Sequence, residues 1–165
     1  MEADNEILQT YRCTAVRKEQ WTVDFIEAIP PNGIFWDIGA NVGSYSLIAA
    51  SRGIMTVAIE PSAPNYDCLF RHMCLNNMSE KIIALPIALA DKRGLQWLDY
   101  QDVRPGAASH VLGAMKRQFL HRQVVQVWTL DELLEFFTLP KPTHIKIDVD
   151  GGEMRTLAGM ATTLL

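Results

Sequence analysis

The feature that most limits how this chain can fold is the stretch from Ile34 to Ser51, IFWDIGANVGSYSLIAAS. An apolar run, Ile34 to Ile38, leads straight into glycine, which suits a strand buried on both faces of a parallel sheet. The pattern D-x-G-x-x-x-G follows, with Asp37, Gly39 and Gly43 as its fixed points. Gly39 permits a tight turn, and Gly43 permits close approach at the start of a helix. A helix is expected from about Ser44 to Ser51, stopped near Gly53. A strand, a glycine turn and a helix in that order place a ligand-sized site at the carboxyl end of the strand.

The rest of the chain repeats that alternation. Trp21, Phe25, Ile26 and Ile29 have helical spacing within 20–29, and Pro30, Pro31, Asn32 and Gly33 end that helix. Met55 to Ile59 reads as a second strand, followed by Glu60-Pro61. Ser62 then opens a helix carrying Pro64 in its first turn, with Tyr66, Leu69, Phe70 and Met73 on its inner face. Lys81 to Leu85 reads as a third strand running on through Pro86 to Asp91. A turn at Gly94 leads to a strand over Leu95 to Tyr100, and Val124 to Val127 is another. Residues 102–118 lack periodicity and read as a loop over the site. Thr129 and Glu132 have capping-box spacing before Leu133, Leu134, Phe136 and Phe137. Thr143 to Val149 is a strand ending in acids, and Gly151-Gly152 leads into a last helix. Strands alternating with helices predict an α/β domain over 20–165, a mostly parallel sheet with helices on both faces, behind a polar segment at 1–19.

Three features converge at strand ends. The first is the turn from Asp37 to Gly43, where a ligand can lie against backbone N–H groups at the positive end of a helix. Asp37 itself can meet an amine or solvent around that ligand. The second is Glu60, 21 residues after Gly39 at the end of the next strand. An acid there can accept both hydroxyls of a ribose and would repel a 2′-phosphate. NAD and S-adenosylmethionine both present an adenosine. Dinucleotide sites favour G-x-G-x-x-G, whose middle glycine admits a pyrophosphate. Ala40-Asn41 stands at that place here, so the turn suits a ligand without one. The third feature is Lys146-Ile147-Asp148-Val149-Asp150-Gly151-Gly152-Glu153. Asp148 and Asp150 share a face of an extended strand. They can orient a sulfonium or amine, take a proton from a hydroxyl, or bind Mg²⁺. Glu153 is equally read as an acid favouring the start of the last helix.

The matching segments FWDIGANVGSYSLIAA (35–50), VAIEPSAPNYDCLFRHMCLNN (57–77), LPIALAD (85–91), VVQVWTLDELL (124–134) and HIKIDVDGGEMRTLAGM (144–160) resemble the FkbM family of methyltransferases. The resemblance implies a Rossmann-like class I methyltransferase fold, S-adenosyl-L-methionine as cofactor, and O-methylation of a small-molecule acceptor such as a sugar or natural product. It implies that Asp37, Gly39, Ala40, Asn41 and Gly43 surround the methionine and ribose part, with Glu60 as the ribose acid followed by Pro61. Asn77, Ala88 and Leu89 would flank the adenine, and Asp148 is the acid of the fourth core strand. Position 150 is more often Glu in the family. Asp150 shortens that reach by one methylene. The family usually continues with further strands beyond the helix after Gly152. The chain therefore reads as C-terminally short, with an exposed sheet edge that invites pairing with another chain, possible as a homo-oligomer.

Methyl transfer from a sulfonium mainly needs donor and acceptor held in line, and a hydroxyl acceptor needs a base. The candidates are Asp148, Asp150 and the loop histidine His110, in falling order. The rival readings are a truncated, inactive S-adenosylmethionine-binding module or subunit, and an NAD-dependent oxidoreductase. A net charge of −4 speaks against nucleic acid, and no apolar run approaches the ~18 residues of a membrane span. Met1 to Glu6 has no basic n-region, and Cys13, Cys68 and Cys74 form no CxxC pair, so a cytoplasmic protein with reduced thiols and no metal site is expected. His72 and His121 are expected at the surface, His144 and Trp36 in structural roles. Tyr45 fits packing or the methyl-transfer pocket equally.

Overall fold

A computed structural model describes residues 19–108, 110–113 and 119–165. The polar segment 1–19, apart from Glu19, and residues 109 and 114–118 of the loop lie outside the described residues.

The described chain runs α1 (Gln20–Glu27), β1 (Ile34–Ile38), α2 (Ser44–Ser51), β2 (Met55–Ile59), α3 (Ala63–Leu75), β3 (Ile82–Leu85), β4 (Ala88–Leu89), β5 (Gly94–Tyr100), β6 (Val111–Leu112), β7 (His121–Trp128), α4 (Leu130–Phe136), β8 (His144–Ile147) and α5 (Glu153–Ala158). β1, α2 and β2 fall where the apolar runs and glycines predict them. The first sheet is fully parallel in the order β3-β2-β1-β8.

Its alternation divides the core. Trp36 and Ile38 of β1 and Val57 and Ile59 of β2 point to one face, where they meet Leu130 and Leu133 of α4. Phe35 points to the other face, against Val23 and Ile26 of α1 and Ala49 of α2. Trp36 is fully buried, and its indole N–H donates to the Pro140 carbonyl at 2.9 Å. Both faces are covered, as the apolar composition of these strands requires.

Two expectations need correction. The third strand does not run on to Asp91: β3 stops at Leu85, and Ala88–Leu89 pairs with β7 instead. A second sheet results, in the order β4-β7-β5-β6, with β5 antiparallel to both β6 and β7. The exposed Pro86 lacks the N–H that would continue the ladder at that point. The segment 102–118 also carries a short strand, β6, within what its sequence offers as loop. The predicted cap of α4 is present: the Glu132 N–H donates to Thr129 Oγ1 at 3.1 Å, and that hydroxyl donates to Glu132 Oε2 at 3.0 Å. β8 pairs with β1 on one side, and among the described residues nothing pairs with its other side.

Candidate functional site

A cleft of about 220 Å³ opens at the carboxyl ends of β1, β2 and β8. Of the predicted site residues, Gly39, Asn41, Glu60, Pro61, Ala88, Leu89, His110, Asp148 and Asp150 line it. Asp37, Ala40 and Gly43 are buried and are not among its lining residues, and Asn77 is an exposed residue just past the end of α3. The second sheet and the following loop contribute Leu98, Ala107 and Leu112, so the cleft lies between the two sheets.

The glycine turn is bent by its own hydrogen bonds. The N–H groups of Gly39 and Ala40 both donate to the Ile59 carbonyl at 3.0 Å, and Gly43 N–H donates to the Ala40 carbonyl at 2.9 Å. Asn41 N–H donates to Glu60 Oε2 and Val42 N–H to Asn41 Oδ1. Every N–H from residue 39 to 43 is thus engaged within the protein. A ligand at residues 39 to 43 would therefore have to share donors that already serve Glu60, β2 and the turn itself. Gly39 has φ +81°, and a Cβ there would sit 2.0 Å from the Asp148 carbonyl oxygen. No other residue type fits, because the ends of β1 and β8 press together at this point.

Glu60 is buried at the end of β2, 5% exposed, and among the described residues it forms no ion pair. Its carboxylate accepts from Asn41 N–H at 2.8 Å and from Ser62 N–H at 2.9 Å. Burial pushes its pKa up to about 7, against the opposing pull of those N–H groups and Asn65. A buried carboxylate facing a cleft from a strand end is suited to accept hydroxyl donors from a ligand.

The acids of β1 and β8 are arranged differently. Asp37 is fully buried. It accepts from Ser46 Oγ at 2.7 Å and from Lys146 Nζ at 3.1 Å. That Lys146 ammonium also stands 3.5 Å from Asp148 Oδ2 and 5.1 Å from the centre of the Tyr45 ring. Asp37 therefore faces a protein cation instead of a ligand amine. The Asp148 side chain is 64% exposed at the mouth of the cleft. Asp150 also lines it and accepts from the His110 backbone N–H at 3.2 Å. The His110 ring packs on Tyr100, with centroids 4.6 Å apart. Among the described residues, no group of three or more His, Cys, Asp or Glu side chains could hold a metal ion.

Asn65, in the first turns of α3, was not singled out by sequence. It is buried and holds the loop over the cleft: Gly106 N–H donates to its Oδ1 at 2.8 Å, and its Nδ2 donates to the Ala107 carbonyl at 3.2 Å. Asn41 Nδ2 reaches the same carbonyl at 3.1 Å. Nothing in the local pattern marks Asn65, since its partners are 41 and 42 residues away. Lys146 did carry a signal: a lysine between two isoleucines, next to strand-end acids. His72 corrects a surface expectation. It is fully buried, its Nδ1 donates to the Val42 carbonyl at 2.8 Å, and its Nε2 lies 3.6 Å from Cys68 Sγ. Tyr45 packs in the core with its hydroxyl on Glu19.

A glycine turn and a strand-end acid on a parallel sheet thus border one cleft at the carboxyl ends of the strands, where α/β domains take their ligands. Residues 37–165 match the methyltransferase FkbM domain, and the chain belongs to that family. It is 27% identical over 158 residues to the hexuronic acid methyltransferase AglP of Haloferax volcanii, covering 94% of this chain and 62% of that protein. It is also 27% identical over 165 residues to methyltransferase sdnD of Sordaria araneosa, covering 82% of this chain and 63% of that protein. The chain thus spans a little under two thirds of the length of these relatives. Among solved structures, geranyl diphosphate methyltransferase in complex with SAM aligns with 51% of this chain and 36% of its own, at 12% identity and a TM-score of 0.41.

Proposed function

We propose that this domain binds S-adenosyl-L-methionine and serves the O-methylation of a hydroxyl on a small molecule, a sugar or a natural product. One observation carries the reading: the buried Glu60 carboxylate, anchored by Asn41 and Ser62 N–H groups, opens onto the same cleft as the Gly39 turn. Glu60 takes the ribose hydroxyls, with Asn41 and Pro61 beside them. Ala88 and Leu89, both buried at the cleft wall, flank the adenine. Asp37, Ala40 and Gly43 shape the turn from behind, and Asn77 is retained from the family pattern alone. The saturated N–H groups of the turn support a ligand that brings no pyrophosphate. Asp148, Asp150 and His110 line the other end of the cleft and are the groups offered to an acceptor hydroxyl. The similarity to a hexuronic acid methyltransferase supports a sugar acid as the first acceptor to try.

S-Adenosylmethionine supplies an activated methyl group on a sulfonium. The protein's share is to hold donor and acceptor in line and to receive the hydroxyl proton. The cytoplasm is the proposed place of action, since Cys68 and Cys74 carry reduced thiols; among the described residues no helix is long and apolar enough to cross a membrane. The open side of β8 is the surface on which a further strand or second copy would pair.

Isothermal calorimetry with S-adenosylmethionine, S-adenosylhomocysteine and NAD tests the reading. Binding of the first two and not of NAD is expected. Binding of none of them, or of NAD alone, would overturn it. Methyl transfer to a panel of uronic acids and their glycosides then separates an enzyme from an inactive binding module.

A further inference from the structure

β8, His-Ile-Lys-Ile, places Lys146 between two apolar residues, Ile145 and Ile147, and the surroundings of that lysine are specific. Asp37 and Lys146 are register partners across parallel β1 and β8, so their side chains share one face of the sheet. Asp148, two residues on, lies on the same side. Lys146 is 11% exposed, its ammonium donating to the fully buried Asp37 at 3.1 Å and standing 3.5 Å from Asp148. Asp37 is itself held by Ser46 of α2. The ammonium therefore cannot swing out to water without stranding a buried carboxylate. Asp148 differs: its backbone is pinned by its N–H to the Ile38 carbonyl at 2.9 Å, while the residue lines the cleft with its side chain 64% exposed. Lys146 is the one ion-pair partner given to that side chain among the described residues.

We propose that Lys146 is a positioning residue: fixed from behind by Asp37, it orients the Asp148 carboxylate in the cleft toward the cationic part of the methyl donor. Neutralising Asp37 alone would need no cation within reach of a second acid at the mouth. The wall at this end carries Asp148 and Asp150, a charge pattern that complements a sulfonium or ammonium. This rests on the reading of the cleft as an S-adenosylmethionine site.

The test is a cycle of variants measured by calorimetry with S-adenosylmethionine. Asp37→Asn with Lys146→Met removes the buried pair together, avoids a stranded charge, and leaves the net charge of the three residues unchanged at −1, from two acids and one base to one acid. Loss of affinity then reports position and not overall charge. The expected result is about tenfold weaker binding for this double variant, and about tenfold for Asp148→Asn in the native background. In the double variant Asp148→Asn should cost less than about twofold, because Asp148 is already unguided. Lys146→Arg, which keeps the cation, should bind within about threefold of native. Equal loss from Asp148→Asn in both backgrounds, or native affinity in the double variant, would overturn the proposal while leaving the cofactor reading intact. Failure of the native protein to bind S-adenosylmethionine would overturn both. Thermal melts of each variant confirm that a folded protein is titrated.

Discussion

The ends of β1 and β2 lie side by side and each buries a carboxylate, yet they stabilise it in opposite ways. Asp37 is met by a lysine from the next strand and a serine from the helix below. Glu60 is met by backbone and side-chain N–H groups and, among the described residues, forms no ion pair. The difference is functional in kind. An acid neutralised by a fixed ammonium is closed to a ligand and serves as an anchor. An acid held only by N–H donors keeps lone pairs, and its charge is costly until a ligand offers further donors. One strand end is thereby closed by a protein cation, and the other is the end to which the proposed function assigns the ligand hydroxyls.

The largest effect should come from breaking the closed site on one side. Lys146→Met leaves Asp37 charged and buried, and is expected to cost about 3–5 kcal/mol. The melting temperature should drop sharply, or the protein should fail to fold. Adding Asp37→Asn should restore most of that stability. If Lys146→Met melted like the native protein, the two sites would not differ in the way described.

Glu60 gives the next effect, and it depends on pH. Folded Glu60 keeps its proton up to about pH 7, whereas its ordinary value is 4.5. Its contribution is therefore fully present below pH 4.5 and is lost as pH rises through 7, by about 3 kcal/mol in all. Glu60→Gln should flatten the change in melting temperature between pH 4.5 and 7. Cofactor affinity should move the other way in the native protein, rising through pH 7 as the carboxylate becomes available to ribose hydroxyls. An affinity flat across that range would remove Glu60 from the ribose site.

Asn65→Ala removes two buried hydrogen bonds to the loop, at Gly106 and Ala107. A loss of about 2 kcal/mol is expected, with weaker cofactor binding because Ala107 lines the cleft. Unaltered binding would show that Asn41 alone secures the loop. The smallest effect serves as the contrast to Lys146 and Asp37. Arg71 and Asp67 form an ion pair one turn apart on α3, half exposed on both sides. Asp67→Ala should change stability by less than about 0.5 kcal/mol in a urea titration.

Local pattern determined much of this protein. The run from Ile34 to Ser51 could hardly be anything but strand, turn and helix, since glycine at φ +81° and +85° is what the turn demands. Glu60 was legible because strand length sets its distance from Gly39. The place of Asp148 at a strand end was legible because a short strand with Ile145 and Ile147 on one face runs into it. Segments 35–50, 57–77 and 144–160 carried the family resemblance for the same reason: backbone geometry at strand ends leaves few residue types free. What the tertiary structure alone decided rests on contacts between distant residues. Ala88–Leu89 leaves the third strand for a second sheet because β7, some forty positions on, offers it a ladder. Asn65 and His72 look like ordinary helix residues until the Ala107 and Val42 carbonyls arrive beside them. Asp37 looked like a ligand contact on the strand that bears it. Only the register of β8 against β1 brings Lys146 within 3.1 Å and turns that acid into an anchor. Periodicity reports which face a side chain takes, whereas pairing across a parallel sheet reports what it meets there.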